Sequence, residues 1–233
     1  HQFSPSPLTD NIMKLLIQEV GIKLSWMRQE KLSHLREWKG RTDFRIKADS
    51  EIEDLIVRKL REKHPDISIY GEESGESGPV NSDIQVIIDP IDGTIPFTTG
   101  VADYYTIAIA VLDKGEAVSS IIHMPDTQCT YVAEVGKGAW KRDRYGAETK
   151  LSVSTEECLQ HSMVVMDHGK AQRQNLTPLL NALLDKDGVN CAPQFLCASY
   201  SLICLAEGKL EGFICPSTAP EDAIPGALLA KEA

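Results

Sequence analysis

The stretch VIIDPIDGT, residues 86–94, places two aspartates three positions apart at the end of an apolar run. Because proline cannot donate to a strand ladder and glycine permits a sharp turn, we predict that the strand over 86–88 ends at Asp89. Asp89 and Asp92 would then both lie at the rim of a sheet. A helix that begins after Gly93 would point its free N–H groups at the same rim, where they favour an anion.

Carboxylates occur at two further places that a sheet could bring to this rim. Glu72, in YGEES, follows a short strand-like segment, and Asp222 precedes a helical run. The ordinary explanation of these motifs is a solvated turn or a helix cap. Glu72, Asp89, Asp92 and Asp222 together carry a charge of about −4, which would repel a phosphate unless divalent cations lay between them. Oxygen ligands, with the freed carbonyl of Ile91, favour Mg²⁺.

Helices and strands are predicted in blocks around these motifs. Apolar residues recur at three- and four-residue steps over 8–37 and again over 50–64, before Pro65, which is typical of amphipathic helices. A polar, hairpin-like segment over 39–49 separates the two helices. Three regions rich in β-branched residues between 84 and 140 predict an antiparallel β core. Two further helices are predicted in LTPLLNALLDKDG and SYSLICLAEGKLEG.

The order of these elements is two helices, a set of strands, and then alternating helix and strand. Layered α+β, with helices packed on sheets, fits this order best. We predict one domain over 1–233, in which two lobes, about 1–150 and 151–233, would meet near 145–155.

Composition excludes several classes of protein. A hydrophobic fraction of 42% without a run of about 18 to 20 apolar residues indicates no membrane span. The formal net charge of −10 argues against binding of a nucleic-acid polymer, because phosphate backbones are held by Lys and Arg patches.

The N-terminal HQFSPSPLTD does not read as a secretory signal. Six cysteines without a C-x-x-C pair are expected to be reduced, and the compartment cytoplasmic.

The ordered set G-E-E-S, D-P-I-D-G-T and E-D-A-I-P-G resembles the inositol monophosphatase family of metal-dependent, lithium-sensitive phosphomonoesterases. The resemblance covers most of the chain. It implies a layered α-β-α-β-α sandwich of the inositol monophosphatase or fructose-1,6-bisphosphatase type, a small phosphorylated substrate and a homodimer. It also implies that the family continues beyond the last aspartate, so we expect the sequence to be incomplete at its C-terminus.

The resemblance also assigns a metal site of two or three Mg²⁺ ions. It implies that Glu72, Asp89 and the carbonyl of Ile91 hold the first ion, and that Asp92 and Asp222 join Asp89 at the second.

The resemblance further assigns catalytic and substrate-binding roles. Thr94 and Asp49 would align the water that attacks phosphorus, and the catalytic set would also include Glu72 and Asp92. Gly93, Thr94, Asp92, Asp222 and Lys39 would contact the substrate. Ile46 stands where the family motif T-x-A-D has threonine, so the placement of Lys39, ten residues before Asp49, is the least secure.

Three departures from the family pattern affect substrate recognition more than metal binding. Glu221 replaces the tryptophan of the last W-D motif, and 196–198 read Leu-Cys-Ala in place of G-S-A. Cys215 stands where mammalian members have a carboxylate that contacts the sugar ring. The substrate could therefore be inositol phosphate, 3′-phosphoadenosine 5′-phosphate, fructose 1,6-bisphosphate or histidinol phosphate. The alternative of another class is a catalytically inactive, metal-binding regulatory homologue.

Two histidines, His123 and His168, are candidate functional residues. His123 lies within a strand pattern without an acidic partner at a recognisable spacing, so we expect a structural role. His168, with Lys170 and Arg173, is a candidate to meet a second phosphate or a nucleotide, although a solvated loop is the simpler interpretation.

Overall fold

A computed structural model of the protein describes residues 3–29, 36–38, 44–169 and 176–233, with the backbone alone at 36–38, 44 and 45. The helices are α1 (Pro7–Leu15), α2 (Gly21–Gln29), α3 (Lys47–Lys63), α4 (Thr94–Thr99), α5 (Leu176–Leu183), α6 (Ala198–Ala206) and α7 (Pro220–Glu232). The strands are β1 (Arg36–Trp38), β2 (Phe44–Ile46), β3 (Ser68–Gly71), β4 (Gly75–Ser77), β5 (Ile84–Asp92), β6 (Thr106–Asp113), β7 (Glu116–Met124), β8 (Cys129–Glu134), β9 (Gly138–Arg142), β10 (Glu148–Lys150), β11 (Val164–Met166) and β12 (Gly212–Ile214). No helix in these described ranges is both long and apolar enough to cross a membrane.

Eight strands form one sheet in the order β10-β9-β8-β7-β6-β5-β3-β4. All of its neighbours pair antiparallel except β3 and β5, which run parallel. A separate two-stranded sheet pairs β11 with β12 in parallel, and β1 pairs with β2 as a short antiparallel hairpin. The predicted α+β class and the predicted antiparallel core over 84–140 are therefore confirmed.

The large sheet is buried on both faces because helices cover each side. Ile107, Ile109 and Val111 of β6 belong to the core cluster that includes the buried residues of α1 to α3. Ala108, between them, packs instead in the cluster that contains α6 and α7 residues such as Leu229. Alternate residues of a strand point to opposite faces, so the small alanine on one face lets α7 approach β6 closely.

The N-terminal helix differs from its prediction. Its regular hydrogen bonding is interrupted by a π-helical turn at Leu16–Val20 before α2 continues to Gln29. Arg36–Trp38 is a strand that pairs with Phe44–Ile46, so the predicted continuation to Glu37 is wrong. Periodicity over 8–37 could not reveal this, because strand pairing of 36–38 depends on partners six to ten residues further along the chain. Lys39 lies outside the described residues.

The central strand also differs from its prediction. β5 does not end at Asp89 but runs to Asp92, and its pairing with β6 shifts register between Asp89 and Asp92. Because a bulge interrupts the ladder at this point, no backbone hydrogen bond is required from Pro90. This is how proline is tolerated inside a strand. The two aspartates consequently lie on one rigid strand rather than on a loop.

Candidate active site

The predicted acidic residues line one cavity of about 160 Å³ at the ends of β3 and β5 and the beginnings of α4, α6 and α7. The carboxylates in its wall are Asp49, Glu72, Asp89, Asp92, Asp167 and Asp222. Ile91, Gly93 and Thr94 line the cavity beside them. None of the described lining residues is lysine or arginine. The residues carried over from the family motifs are thus brought together, apart from Lys39.

Asp89 is 1% exposed and lines the cavity. Its Oδ1 accepts a hydrogen bond from the N–H of Ile91 at 3.0 Å, which fixes the side chain within the bulge of β5. Burial raises the pKa of Asp89 well above its usual value, and Glu72, Asp92, Asp222 and Asp49 raise it further by charge repulsion. A carboxylate in this position is stabilised by a cation.

Asp92 is held by the N-terminus of α6. Its two oxygens accept hydrogen bonds from the N–H groups of Ala198, at 3.2 Å, and Ser199, at 2.5 Å. Burial raises the pKa of Asp92 to about 7, with a contribution from Asp222, while the bonds from α6 act in the opposite direction. The helix N-terminus therefore orients this carboxylate without removing its need for a counter-charge.

Gly93 separates Asp92 from α4 and has φ of 89°, a left-handed conformation that favours glycine. A Cβ here would lie 3.1 Å from Cβ of Cys197. Close contact between this turn and the start of α6 therefore depends on glycine.

Glu72 is positioned by a buried carboxylate on α3. Its backbone N–H donates to the carbonyl of Ile88 at 3.1 Å, which continues the parallel pairing of β3 with β5. Glu53, 1% exposed, accepts hydrogen bonds from the N–H groups of Glu73 at 2.9 Å and Ser74 at 2.8 Å. Glu53 thereby fixes the turn that aims Glu72 at the cavity.

Glu53→Gln is expected to lower the free energy of unfolding by about 1 to 3 kcal/mol, because an amide cannot accept both N–H bonds with the strength of a carboxylate. The stabilisation by Mg²⁺ should fall as well, since the turn that carries Glu72 loosens. Denaturant unfolding with and without Mg²⁺ measures both effects. Glu62→Gln, an exposed change on the same helix, is the matched control. Equal behaviour of the two variants would show that Glu53 does not hold the turn.

Asp49 and Thr94 lie in the wall of the same cavity. Asp49 Oδ2 accepts the N–H of Ile46 at 2.8 Å and so caps the start of α3. Thr94 Oγ1 donates to the carbonyl of Ile91 at 3.2 Å. Both side chains are therefore tied to backbone beside the acidic cluster, and their predicted role in aligning a water stays a prediction.

Asp222 occupies the third position of α7, where its Oδ2 accepts from the N–H of Ala219 at 3.5 Å. It also lines the cavity. Asp222 therefore caps α7, which is the ordinary explanation of its motif, and it also lines the cavity, as a metal-ligand candidate should.

The donor set fits hard divalent cations. The six carboxylates in the wall and the Ile91 carbonyl offer oxygen only. Burial, together with repulsion from its neighbours, makes the charge of Asp89 costly without a cation. Among the described residues, one group of three ligand side chains has all its ligand atoms within 4.8 Å of one another. It consists of Glu156, Cys158 and His161, at the surface. The cavity carboxylates are more widely spaced, which suits Mg²⁺ because it keeps several water ligands.

The far wall of the cavity, formed by Asp167, His168, Cys215 and Ser217, was mostly missed by motif reasoning. From the sequence, His168 was a candidate and Cys215 was named as the position of the family's sugar-contacting carboxylate. Lys170 and Arg173 lie outside the described residues. Asp167 directly follows the apolar triplet Val-Val-Met of β11, which is the same pattern that singled out Asp89. That signal could have identified Asp167.

His123 is 2% exposed, and its Nδ1 lies 2.9 Å from Oγ1 of Thr130. Burial lowers its pKa to about 4, so the ring is neutral. It does not line the acidic cavity, and its surroundings are those of a structural residue.

Comparison with known proteins shows the family. The model of the inositol monophosphatase family matches residues 7–233. The chain belongs to the inositol monophosphatase family.

Named relatives within the inositol monophosphatase family carry two kinds of name. A putative Nus factor SuhB of Neisseria meningitidis is 30% identical over 204 residues, covering 84% of this chain and 73% of that protein. An inositol-1-monophosphatase of Rhizobium meliloti is 29% identical over 199 residues, covering 84% and 71%.

Solved structures confirm the family fold. The extragenic suppressor protein suhB of Bartonella henselae matches with a TM-score of 0.84 at 26% identity, covering 96% of this chain and 84% of that one. The inositol monophosphatase of Thermotoga maritima matches with a TM-score of 0.81 at 26% identity, covering 96% and 82%. The predicted sandwich of the inositol monophosphatase type is confirmed.

Proposed function

We propose that this protein is a Mg²⁺-dependent phosphatase that hydrolyses a small phosphate monoester. The observation that carries the proposal is the convergence of Glu72, Asp89, Asp92 and Asp222 on one cavity, together with the Ile91 carbonyl. Such a concentration of buried like charge destabilises a fold unless cations compensate it, so its presence favours a metal-dependent activity.

Mg²⁺ held by Glu72, Asp89, Ile91, Asp92 and Asp222 would supply Lewis acidity toward water and phosphate oxygens. Asp89 is fixed by the Ile91 N–H, and Asp92 by α6, so both carboxylates are oriented before substrate arrives. Thr94 would hold a nucleophilic water by its hydroxyl, and Asp49 would accept a proton, as the family resemblance implies. The N–H groups of Gly93 and Thr94 would donate to phosphate oxygens.

Names of relatives favour the same proposal without deciding it, because they include both an inositol-1-monophosphatase and Nus factors. A homologue that keeps the acidic cluster but lacks catalysis is the competing interpretation. Dimerisation, lithium sensitivity and the number of Mg²⁺ ions stay predictions from the resemblance.

Phosphate release should be measured with inositol 1-phosphate, 3′-phosphoadenosine 5′-phosphate, fructose 1,6-bisphosphate and histidinol phosphate. We expect release from at least one of them in Mg²⁺, and its loss in EDTA, because the acidic cavity cannot accept phosphate without cations. Lithium added to the active reaction tests the inhibition that the family resemblance implies. Absence of release from every ester, with Mg²⁺ binding shown by calorimetry, would favour the inactive homologue.

A further inference from the structure

A surface turn between β10 and β11 brings three different kinds of metal ligand together. Glu156, Cys158 and His161 each offer one ligand atom, and these atoms all lie within 4.8 Å of one another. The three residues form the pattern E-x-C-x-x-H in the segment TEECLQHS, 155–162. None of the three lines the acidic cavity. They therefore form a separate cluster, to which the proposed phosphatase mechanism gives no role.

Local backbone structure explains why the thiol and the imidazole meet. Leu159–His161 is a single 3₁₀ turn, and the N–H of His161 donates to the carbonyl of Cys158 at 3.1 Å. In 3₁₀ geometry the side chains of residues three apart lie one above the other. Cys158 and His161 are three apart, so their side chains project from the same side of the turn. The hydroxyl of Ser162 donates to the same carbonyl at 2.9 Å and so closes the turn.

Glu156 is folded back onto this turn by its own side chain. Its Oε1 accepts the N–H of Cys158 at 2.8 Å, and its Oε2 lies 3.5 Å from Nδ1 of His161. The hydrogen bond from Cys158 holds the pKa of Glu156 below its usual value, and the neighbouring His161 acts in the same direction. The carboxylate is therefore ionised and directed at the other two ligands.

The turn is anchored to the rest of the protein on its C-terminal side. The carbonyl of Ser162 accepts the N–H of Asn190 at 2.9 Å. The N–H of Met163 donates to Oε2 of Glu211 at 2.7 Å, and the N–H of Glu211 donates to the carbonyl of Met163 at 3.0 Å. Ligands on a fixed turn lose less conformational entropy when an ion binds than ligands on a flexible segment do.

The spacing of the ligand atoms fits one tetrahedral ion. Zn²⁺ binds thiolate sulfur at about 2.3 Å and imidazole nitrogen or carboxylate oxygen at about 2.0 to 2.2 Å, which places neighbouring ligand atoms roughly 3.3 to 3.8 Å apart. The 3.5 Å between His161 Nδ1 and Glu156 Oε2 lies in that range. The Cys158 sulfur lies within 4.8 Å of both atoms, so a side-chain movement of about 1 Å completes the arrangement.

The types of donor distinguish this cluster from the acidic cavity. The metal-ligand candidates of the cavity are oxygen atoms, which favour Mg²⁺. Thiolate and imidazole are softer ligands, and together they select Zn²⁺ over Mg²⁺. Oε1 of Gln160 lies 3.2 Å from the Cys158 sulfur, so the turn also carries an oxygen for the fourth position. The side chains of His161 and Glu156 are 69% and 35% exposed, so an ion can reach them directly from solvent.

We propose that Glu156, Cys158 and His161 form a surface binding site for one Zn²⁺ ion, with the fourth position taken by water or by Gln160. The site is independent of the Mg²⁺ cavity and of the proposed phosphatase function. Because the thiol and the imidazole must be deprotonated to coordinate the ion, Zn²⁺ binding releases protons and strengthens as pH rises.

Co²⁺ provides a spectroscopic probe of the site, because a bond between Co²⁺ and a thiolate gives a charge-transfer absorption in the near ultraviolet. The reduced, metal-free 233-residue chain is titrated with Co²⁺. Excess Mg²⁺ is present to compete for the carboxylates of the acidic cavity. We expect the thiolate band to saturate at one Co²⁺ per chain and to disappear when Zn²⁺ is added.

Three variants assign the band to its ligands. Cys158→Ser should abolish the band, and His161→Ala should weaken Co²⁺ binding by about tenfold or more. Cys191→Ser removes another exposed thiol and is the matched control, which should keep the band. A titration of the unmodified chain without a thiolate band, or a band that persists in Cys158→Ser, overturns the inference. Persistence in Cys158→Ser with loss in Cys215→Ser would place the ion in the acidic cavity instead.

Alkylation of the unmodified chain gives a second measurement that needs no variant. Iodoacetamide reacts with the thiolate, and peptide mass spectrometry follows Cys158 and Cys191 in the same sample. Zn²⁺ at about 100 times its Kd should slow the reaction of Cys158 by roughly tenfold or more, because the empty site supplies most of the reactive thiolate. Mg²⁺ should leave the rate unchanged. Equal protection of both cysteines by Zn²⁺, or no protection of Cys158, would also overturn the inference.

Discussion

Asp92→Asn is expected to lower kcat for the best substrate by about 10³-fold or more. The substitution removes a charge from the set that holds Mg²⁺, and a bound metal ion contributes several kcal/mol to stabilising charge in the transition state. The side chain should remain in place, because the amide oxygen can still accept an N–H from the start of α6, from either Ala198 or Ser199. The measurement is single-turnover phosphate release across a range of Mg²⁺ concentrations.

Two comparisons separate loss of function from loss of structure. Asp66→Asn, an exposed aspartate that follows α3, should leave the rate unchanged. The unfolding temperature of Asp92→Asn in EDTA should equal or exceed that of the unmodified protein, because a buried repulsive charge has been removed. Full activity of Asp92→Asn at saturating Mg²⁺ would contradict the assignment of Asp92 to the metal site.

The metal-site half of the cavity could be predicted from the sequence because its residues belong to local patterns. Asp89 and Asp92 follow an apolar run, and Glu72 follows another, so each pattern marks the C-terminal part of a strand, although β5 extends to Asp92. The prediction that Glu72 reaches the same rim requires the two strands to be neighbours, and the parallel pairing of β3 with β5 meets this requirement. Short-range signals suffice when the residues that matter are adjacent in sequence to the elements that position them.

In the far wall, the local pattern marks Asp167 as a residue that follows a strand, but it does not predict that this strand end lies at the cavity. Asp167 reaches the cavity because β11 pairs with β12, which follows it by more than forty residues. Its orientation depends on a left-handed Leu196, whose N–H donates to the Asp167 carboxylate, and no local preference of leucine indicates that conformation. The support that Glu53 gives to the Glu72 turn is also nonlocal, since it comes from the preceding helix. Tertiary packing determines these contacts.

In EDTA, the unmodified protein is expected to lose stability relative to Asp92→Asn as pH rises. The carboxyl of Asp92 ionises near 3.8 when unfolded and at about 7 when folded, so between these values the folded state holds a proton that the unfolded state has released. Stability attributable to this group therefore falls as pH rises from about 4 to about 7 and stays low above that. The expected fall is roughly 2 to 3 kcal/mol between pH 5 and pH 8.

The free energy of unfolding must be compared between the two variants, because another buried group makes this free energy change with pH in the opposite direction. Burial lowers the pKa of His123 to about 4, so the unfolded state binds the extra proton, and stability rises with pH between about 4 and 6.5. This contribution is common to the unmodified protein and Asp92→Asn, and it cancels when their unfolding free energies are subtracted. Asp89 remains in both variants, and its raised pKa makes stability fall as pH rises, as the raised pKa of Asp92 does.

Mg²⁺ should abolish most of this pH dependence, because a cation bound to the folded state favours ionised carboxylates and adds stability by linkage. Urea unfolding at pH 5, 6.5 and 8, for both variants and with EDTA or excess Mg²⁺, measures the effect. A difference between the variants that is independent of pH in EDTA would mean that Asp92 is already ionised in the empty site. The repulsion among the cavity carboxylates would then be too weak to require a metal, and the main physical argument for a metal-dependent activity would be lost.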